Sequence, residues 1–140
     1  MIQYLLDTDI ASLWLQGHAL VTAAVLRVPP DSVGLPIIAF EEIWDGWQAV
    51  IRAATTPGRI AHGYDRLTKS VSDLRPLTVV TYAEATVRRH RELKALKLNV
   101  GSNDLRIAAI ALELGAAVVT NNEQDYRRVP GLTIENWSLG

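Results

Sequence analysis

Short apolar runs alternate with longer amphipathic segments along almost the whole chain, and this alternation limits the folds open to it. Apolar runs of strand length occupy residues 2–6, 33–38, 74–80, 116–120 and 132–135. The segments between them show the three-four apolar spacing of helices, most clearly at residues 40–54. Neighbouring parallel strands need a crossover, which is usually helical. The pattern therefore predicts an α/β fold: a central parallel sheet of four to five strands with helices on both faces.

Caps and breaks place the other predicted helices. Asp9 is the predicted cap of a first helix that carries Ile10, Leu13 and Trp14. Further helices are predicted at residues 59–71 and 82–98, and from the turn at 101–104 to Gly115, which stops the last one. Residues 121–128 suit a polar loop or a short helix. Pro36 lies inside the second apolar run, where a proline fits only the end of a strand or an edge strand.

The composition fits one domain spanning residues 1–140. With 49% hydrophobic residues the chain can bury a sizeable core without disulfides. The absence of cysteine excludes a disulfide scaffold, a zinc–thiolate site and a cysteine nucleophile. Two carboxylates within the first nine residues are unlike a signal peptide or a membrane anchor. We therefore expect a soluble protein with no membrane contact, and the lack of cysteine fits the cytoplasm.

The overall charge does not favour binding to nucleic acid. Fourteen Lys and Arg residues against fifteen Asp and Glu residues give a net charge of −1, so any contact with nucleic acid must use a local patch. The basic candidates on the predicted helix at 82–98 are Arg88, Arg89, Arg91 and Lys94. They form either a phosphate-contacting face or a solvated face balanced by Glu84 and Glu92.

Four acidic residues follow predicted strands or open a predicted helix. Asp7 follows the first strand, Glu42 the second and Asp125 the fourth, and Asp104 opens a helix. Sites in parallel sheets form beyond the carboxyl ends of the strands, so these side chains are expected to converge. Mg²⁺ prefers oxygen ligands and keeps several waters, which two to four carboxylates satisfy. Such an ion activates water and stabilises the charge on a phosphodiester, so no histidine or serine nucleophile is required.

Capping is the alternative explanation for two of these acids. Asp104 is a candidate N-cap, although Ser102 and Asn103 beside it are equally good caps. Asp7 is a candidate turn residue, but Asp9 would already supply the cap of the following helix. A carboxylate directly after a buried strand therefore indicates more than a structural role.

The other two acids are less well defined. Glu41 and Glu42 are adjacent and neither falls on the apolar stripe of its helix, so periodicity does not choose between them. Asp125 fits simple loop polarity as well as a site.

Three tryptophans fall in the helices that surround the predicted sheet. Trp14, Trp44 and Trp47 suit either the core or the lining of a groove for a partner helix.

Four sequence blocks together resemble the PIN-domain ribonucleases, and within them the VapC toxins of toxin–antitoxin pairs. The blocks are LLDTDIAS at residues 5–12, FEEIWDG at 40–46, NDLRIAAIALELGAAVVTNN at 103–122 and DYRRVPGLTIENW at 125–137. The resemblance implies a PIN-like fold and a Mg²⁺- or Mn²⁺-dependent endoribonuclease that cuts tRNA, rRNA or mRNA. It also implies a homodimer and a cognate VapB-like antitoxin that inserts a segment near the active site.

Matched by motif, Asp7, Glu42 and Asp104 take the first three acidic positions of the family. Glu42 precedes Ile-Trp-Asp-Gly as the family's glutamate precedes its own apolar stretch. Many PIN domains carry an aspartate where this chain has Asn122, and Asp125 follows three residues later. A neutral amide would weaken a second metal site, which favours one tightly held ion with Asp125 acting directly or through water; two ions, and Asn122 at the fourth position, are the alternatives. The residues expected next to these ligands are Thr8, Thr120, Asn121 and Asn122.

Two other functions fit parts of the sequence. The opening Leu5-Leu6-Asp7-Thr8-Asp9 also resembles haloacid-dehalogenase-like phosphohydrolases, but Ala11 stands where they carry Thr or Val, and the chain is short for their cap. The neutral Asn122 suits a catalytically silent PIN-fold module that binds RNA or a protein.

Overall fold

The protein is built on a five-stranded sheet in which every pairing is parallel. It is described by a computed structural model that covers residues 1–139. The strands are β1 (Tyr4–Leu6), β2 (Val33–Pro36), β3 (Thr78–Val80), β4 (Ala117–Val119) and β5 (Ile134–Glu135). Their order across the sheet is β3-β2-β1-β4-β5, so β1 is central. The strands all end at one edge, which we call the carboxyl edge.

Seven α-helices within residues 1–139 connect and cover the strands. They are α1 (Thr8–Leu15), α2 (Ala19–Arg27), α3 (Ile37–Ala53), α4 (Pro57–Leu74), α5 (Glu84–Ala95), α6 (Ser102–Leu114) and α7 (Glu123–Tyr126). A short 3-10 turn at Pro30–Ser32 leads into β2.

Alternating side chains of the central strands fill two separate cores. Leu5 and Val118 face the core that α6 completes with its buried stripe. Leu6 and Val119, one residue further along each strand, face the core completed by α1, α2 and α3. Because successive residues of a strand point to opposite faces, both faces of the sheet are covered. The predicted α/β class, with a parallel sheet between two helical layers, is confirmed.

The strands are shorter than the apolar runs that predicted them. Pro36 ends β2 and stands at the N-cap of α3, so this proline marks a strand end as expected. The helix predicted at 82–98 is also shorter, because Lys97 and Asn99 take left-handed backbone angles, with φ of +53° and +59°. Gly115 has φ of +66° and ends α6 as predicted.

The predicted caps of two helices are wrong. Asp7, not Asp9, is the N-cap of α1, and its side chain accepts the backbone N–H of Ile10. Gly101 is the N-cap of α6 and makes no side-chain cap, so neither Ser102 nor Asn103 has that role. Helix α2 was not predicted, because its sequence ALVTAAVLR lacks a clear apolar stripe. His18, a residue of low capping frequency, caps it through Nδ1.

No individual helix within residues 1–139 is both long and apolar enough to cross a bilayer. Only α1 and α2 together pass on length and composition, and they are bent by 102° relative to each other.

We predict that Gly34→Ala destabilises the protein by about 1 to 3 kcal/mol, because β2 has no room for another carbon. A Cβ at Gly34 would lie 2.9 Å from a methyl group of Val80 and 3.1 Å from methyl groups of Ile2 and Leu5. Urea unfolding measures the change.

Gly46→Ala is the matched control for this prediction. A Cβ at Gly46 meets nothing within 4 Å, and the residue lies in the exposed part of α3. Alanine there should stabilise the helix by roughly 0.5 to 1 kcal/mol. Equal effects of the two substitutions would show that the close packing around Gly34 does not limit stability.

Candidate active site

Asp7 is the most buried carboxylate at the carboxyl edge, with only 4% of its surface exposed. It directly follows β1, and its backbone N–H donates to the Val119 carbonyl at 3.0 Å, which ties the position to β4. Its Oδ1 accepts the Ile10 N–H at 2.9 Å. The carboxylate is therefore held at the positive end of α1. Because Asp7 is itself the N-cap, the earlier argument that Asp9 already supplies the cap does not hold. The burial of Asp7 is what distinguishes it from an ordinary turn residue.

Burial raises the pKa of Asp7 to about 6 from an ordinary value of 3.8. Hydrogen bonds from the Thr120 side chain and the Ile10 backbone oppose that rise, whereas the charges of Asp9 and Asp104 add to it. The fold thus holds a carboxylate in a place that disfavours its ionised form, which is common at functional sites.

Asp104 stands in the first turn of α6 and is tied to the C-terminal part of the chain. Its Oδ1 accepts the hydroxyl of Tyr126 at 3.2 Å. Burial raises the pKa of Asp104, the Tyr126 hydrogen bond lowers it, and the charges of Glu42, Asp125 and Asp9 raise it again. These charge effects show that the side chains share one neighbourhood.

Glu42 faces the same region from α3. Its Oε1 accepts the Thr8 hydroxyl at 2.8 Å, which links α3 to the start of α1 across the carboxyl edge. Glu41 is exposed. The structure therefore places Glu42 at the site, a choice that periodicity left open.

Asp125 joins the group from α7 and is held by its neighbours. The Asn122 side-chain amide donates to its Oδ2 at 3.0 Å, and Arg128 lies 3.3 Å from its Oδ1. The Asn122 backbone N–H in turn donates to the Thr120 hydroxyl at 2.8 Å. Asn122 therefore positions Asp125, whereas Asn121 is exposed.

Two residues of this region were missed by the sequence analysis. Asp9 is exposed in the first turn of α1, and its charge raises the pKa values of both Asp7 and Asp104. Tyr126 is fully buried beneath Asp104, and burial next to this carboxylate raises the pKa of its hydroxyl. An aromatic residue inside the polar segment 121–128 was the available signal for Tyr126. We call Asp7, Asp9, Glu42, Asp104 and Asp125 the acidic cluster.

The donor set of the acidic cluster fits a hydrated hard cation. Within residues 1–139, no three Asp, Glu or His side chains stand close enough together, as they are placed, to hold a metal ion. The charges of Asp9 and Asp104 nevertheless raise the pKa of Asp7, and those of Glu42, Asp125 and Asp9 raise the pKa of Asp104. Of the ion pairs in the described chain, one includes Asp125 and none includes Asp7, Glu42 or Asp104. Mg²⁺ suits this arrangement because it takes one or two carboxylates and retains several waters.

A groove of about 500 Å³ runs from the acidic cluster between α1, α3 and α4. It starts at Thr8 and Glu42 and continues past Trp47 and Arg66, whose guanidinium lies 5.7 Å from the Trp47 ring centre. Trp47 thus lines a groove. Trp44 is 41% exposed on the same helix, and Trp14 is partly buried and donates its indole N–H to the Asp73 carbonyl.

The basic residues of α5 are partly neutralised. Arg88 pairs with Glu84 at 2.8 Å, and Arg89 pairs with Glu113 at 2.8 Å. Arg91 and Lys94 are exposed. The pairing of Arg88 with Glu84 fits the second of the two alternatives for this helix, a solvated face whose positive charges are balanced by glutamates.

Comparison with known proteins gives the same fold and a family. The sequence model of the PIN domain matches residues 4–132. Ribonuclease VapC2 of Haemophilus influenzae is 25% identical over 137 residues, which cover 98% of this chain and 99% of that protein. Ribonuclease VapC2 of Rickettsia felis is 46% identical over 46 residues, about a third of each chain at 33% and 34%.

A solved structure shares the whole architecture. The crystal structure of VapBC2 from Rickettsia felis bound to a DNA fragment from its promoter superimposes with a TM-score of 0.81 at 24% identity, covering 98% of this chain and 99% of that one. The family match and the parallel sheet agree with each other. This chain belongs to the PIN-domain family, and relatives that it matches along almost their whole length are named VapC ribonucleases.

Proposed function

We propose that this chain is a divalent-metal-dependent endoribonuclease that acts as the toxin of a toxin–antitoxin pair. The observation that carries the proposal is the meeting of Asp7, Glu42, Asp104 and Asp125, from four separate parts of the fold, in one neighbourhood. There the pKa of Asp7 is raised in part by Asp104, and that of Asp104 in part by Glu42 and Asp125. The relatives named as ribonucleases support the reaction.

Asp7, Glu42 and Asp104 are the proposed oxygen ligands of Mg²⁺ or Mn²⁺, and Asp125 contributes directly or through water. When bound, the ion makes a water more acidic and stabilises negative charge on the phosphodiester. A hard cation also removes the repulsion within the acidic cluster, which the described ion pairs leave largely in place.

Neighbouring side chains hold the proposed ligands in position. Thr8 donates to Glu42, and Tyr126 donates to Asp104, so one oxygen of each carboxylate is fixed and the other is free to face the cleft. Asn122 donates to Oδ2 of Asp125, and Arg128 lies 3.3 Å from its Oδ1, so both oxygens of this carboxylate have partners. Such outer hydrogen bonds orient ligands and tune their affinity for the ion.

The proposed partners are an RNA substrate, a VapB-like antitoxin and a second copy of the chain, in the cytoplasm. Similar structures are described as VapBC complexes from Rickettsia felis and Salmonella typhimurium. The groove that begins at Thr8 and Glu42 offers an apolar path toward the acidic cluster, which suits an inserted antitoxin segment. The comparisons favour this function over a phosphohydrolase or a silent module.

We predict that the protein cuts RNA in the presence of Mg²⁺ or Mn²⁺ and that chelation stops cleavage. Asp7→Asn and Asp104→Asn should each lower the cleavage rate by roughly a hundredfold or more, because each removes the charge of a metal ligand. Gel analysis of a labelled RNA pool measures the rate.

Asp65→Asn is the matched control for cleavage, since Asp65 is exposed on α4 and is not among the charges that act on Asp7 or Asp104. It should leave the rate unchanged. Cleavage that survives chelation, or that survives both Asp7→Asn and Asp104→Asn, would refute the proposed reaction.

We predict that Tyr126→Phe weakens Mn²⁺ binding roughly tenfold while the fold is retained, because Asp104 loses the hydroxyl that orients it. Isothermal titration in the absence of RNA measures the affinity. Tyr64→Phe, at a tyrosine 53% exposed on α4, is the control. An unchanged affinity of Tyr126→Phe would show that Asp104 does not depend on this contact.

We predict that Asp7→Asn stabilises the metal-free protein at pH 8, with a gain that disappears as the pH falls toward 4. The folded state raises the pKa of Asp7 to about 6 from 3.8, so it binds the proton more tightly than the unfolded chain. Stability therefore falls as pH rises from about 4 to about 6, by up to roughly 3 kcal/mol. Asparagine carries no charge and is an equally good cap.

Urea unfolding in chelator at pH 4 and pH 8 measures this pH-dependent difference. Asp65→Asn, at an exposed position, should show no such difference. A loss of stability of Asp7→Asn that is equal at both pH values would contradict the burial of an ionised Asp7.

A further inference from the structure

Arg128 is a cation in direct contact with the acidic cluster. Its Nη1 lies 3.3 Å from Oδ1 of Asp125, three residues earlier, and donates to the Asn99 carbonyl at 2.8 Å. The other ion pairs within residues 1–139 include no carboxylate of the cluster. The two contacts therefore fix this guanidinium between α7 and the loop that precedes α6.

The loop that holds Arg128 also borders Asp104. Asn99 has a left-handed φ of +59°, and Gly101, two residues later, is the N-cap of α6. A Cβ at Gly101 would lie 3.9 Å from Oδ2 of Asp104. Arg128 is nevertheless not among the charges that act on Asp104, whereas Asp125 is. The guanidinium thus compensates Asp125 and leaves the charge of Asp104 in place.

Both oxygens of Asp125 have donors in the metal-free protein. The Asn122 amide donates to Oδ2 at 3.0 Å, and Arg128 occupies the side of Oδ1. Direct coordination of an ion would disturb one of these contacts, and a guanidinium keeps its charge at any working pH. By contrast, Glu42 and Asp104 each accept a side-chain hydrogen bond at one oxygen and are part of no ion pair within residues 1–139. Asp125 is therefore the carboxylate of the cluster least available as a direct ligand.

We propose that Arg128 limits the acidic cluster to one tightly bound divalent ion, because it compensates the charge of Asp125 and holds this carboxylate in a water-mediated role. The inference rests on the proposed function, in which three other carboxylates of the cluster hold an ion. A second ion needs further carboxylate ligands, and a partnered Asp125 leaves only the exposed Asp9. The fixed positive charge also repels a second dication. Arg128 is thus a positioning residue that sets the number of bound ions.

Ordinary surface pairing is the alternative explanation for Arg128. The side chains of Arg128 and Asp125 are 35% and 33% exposed, and ion pairs at such positions contribute little to stability. Under this explanation Arg128→Gln changes neither the number nor the affinity of bound ions. Under our proposal the same substitution frees a carboxylate and removes a repelling charge, so metal binding becomes stronger. A gain of binding therefore distinguishes the two explanations.

Titration with Mn²⁺ alone, in the absence of RNA, tests the proposal. Electron paramagnetic resonance counts the bound ions, and isothermal titration calorimetry gives their affinities. We expect one ion per wild-type chain and two per Arg128→Gln chain, with the first ion bound roughly threefold to tenfold more tightly. Adding Asp125→Asn to Arg128→Gln should return the count to one, because it removes the freed ligand. Arg128→Lys should also bind one ion, because it keeps the charge.

Arg127→Gln is the matched control. Arg127 pairs with Glu123 at 3.1 Å, and Glu123 is not among the charges that act on Asp7 or Asp104. This variant removes the same charge from the chain and should still bind one ion with wild-type affinity. If Arg128→Gln folds poorly, as thermal unfolding would reveal, Arg128→Met keeps an apolar stem without the charge and should bind two ions.

The count of bound ions separates this inference from the proposed function. One ion at wild-type affinity in Arg128→Gln would overturn the role of Arg128, even if the wild-type protein cleaves RNA with Mg²⁺. Two ions in the wild-type protein, or weaker binding by Arg128→Gln, would overturn it as well. A protein that binds one ion, and two after Arg128→Gln, but never cuts RNA would keep the inference and refute the nuclease. A wild-type protein that binds no Mn²⁺ would overturn both.

Discussion

Repulsion among carboxylates at the carboxyl edge of the sheet is the constraint on which the site depends. Buried Asp7 and half-buried Asp104 both bind protons more tightly than usual, because burial and neighbouring acids disfavour their ionised forms. A cation that binds among these carboxylates would stabilise the folded state relative to the unfolded chain, in which the carboxylates are far apart. The same repulsion therefore lowers the stability of the metal-free protein and raises its affinity for a divalent ion.

The sequence predicted the location of this site better than its details. Short apolar strands followed directly by polar residues place those residues at one edge, so the approach of Asp7, Glu42 and Asp104 followed from topology. The cap of α1 did not follow, because both Asp7 and Asp9 suit that position and the backbone decides between them. The bond from Tyr126 to Asp104 joins residues 22 positions apart and depends on tertiary packing, which local patterns do not encode.

Helix α2 and the ends of the strands show a similar limit. The residues of α2 are apolar on most faces of the helix, so its sequence shows no helical periodicity that would distinguish it from a loop or a strand. The apolar runs extend beyond the paired residues because burial continues after the ladder ends, as at Ala116 before β4. Hydrophobicity reports burial, whereas a strand ends where its hydrogen-bonded neighbour ends. The fold class depends only on which segments are buried, so it could be predicted from the sequence.

The double role of Asp7 affects which inactive forms of the protein remain intact. One side chain supplies both the charge at the site and the cap of α1. Among the residues that a single nucleotide change of an aspartate codon produces, only asparagine and glycine retain good capping. Under selection against activity, replacements at this codon would therefore divide into silent but intact proteins and chains that are degraded. The inactive but folded proteins would still occupy a binding partner, whereas the degraded chains would leave that partner free.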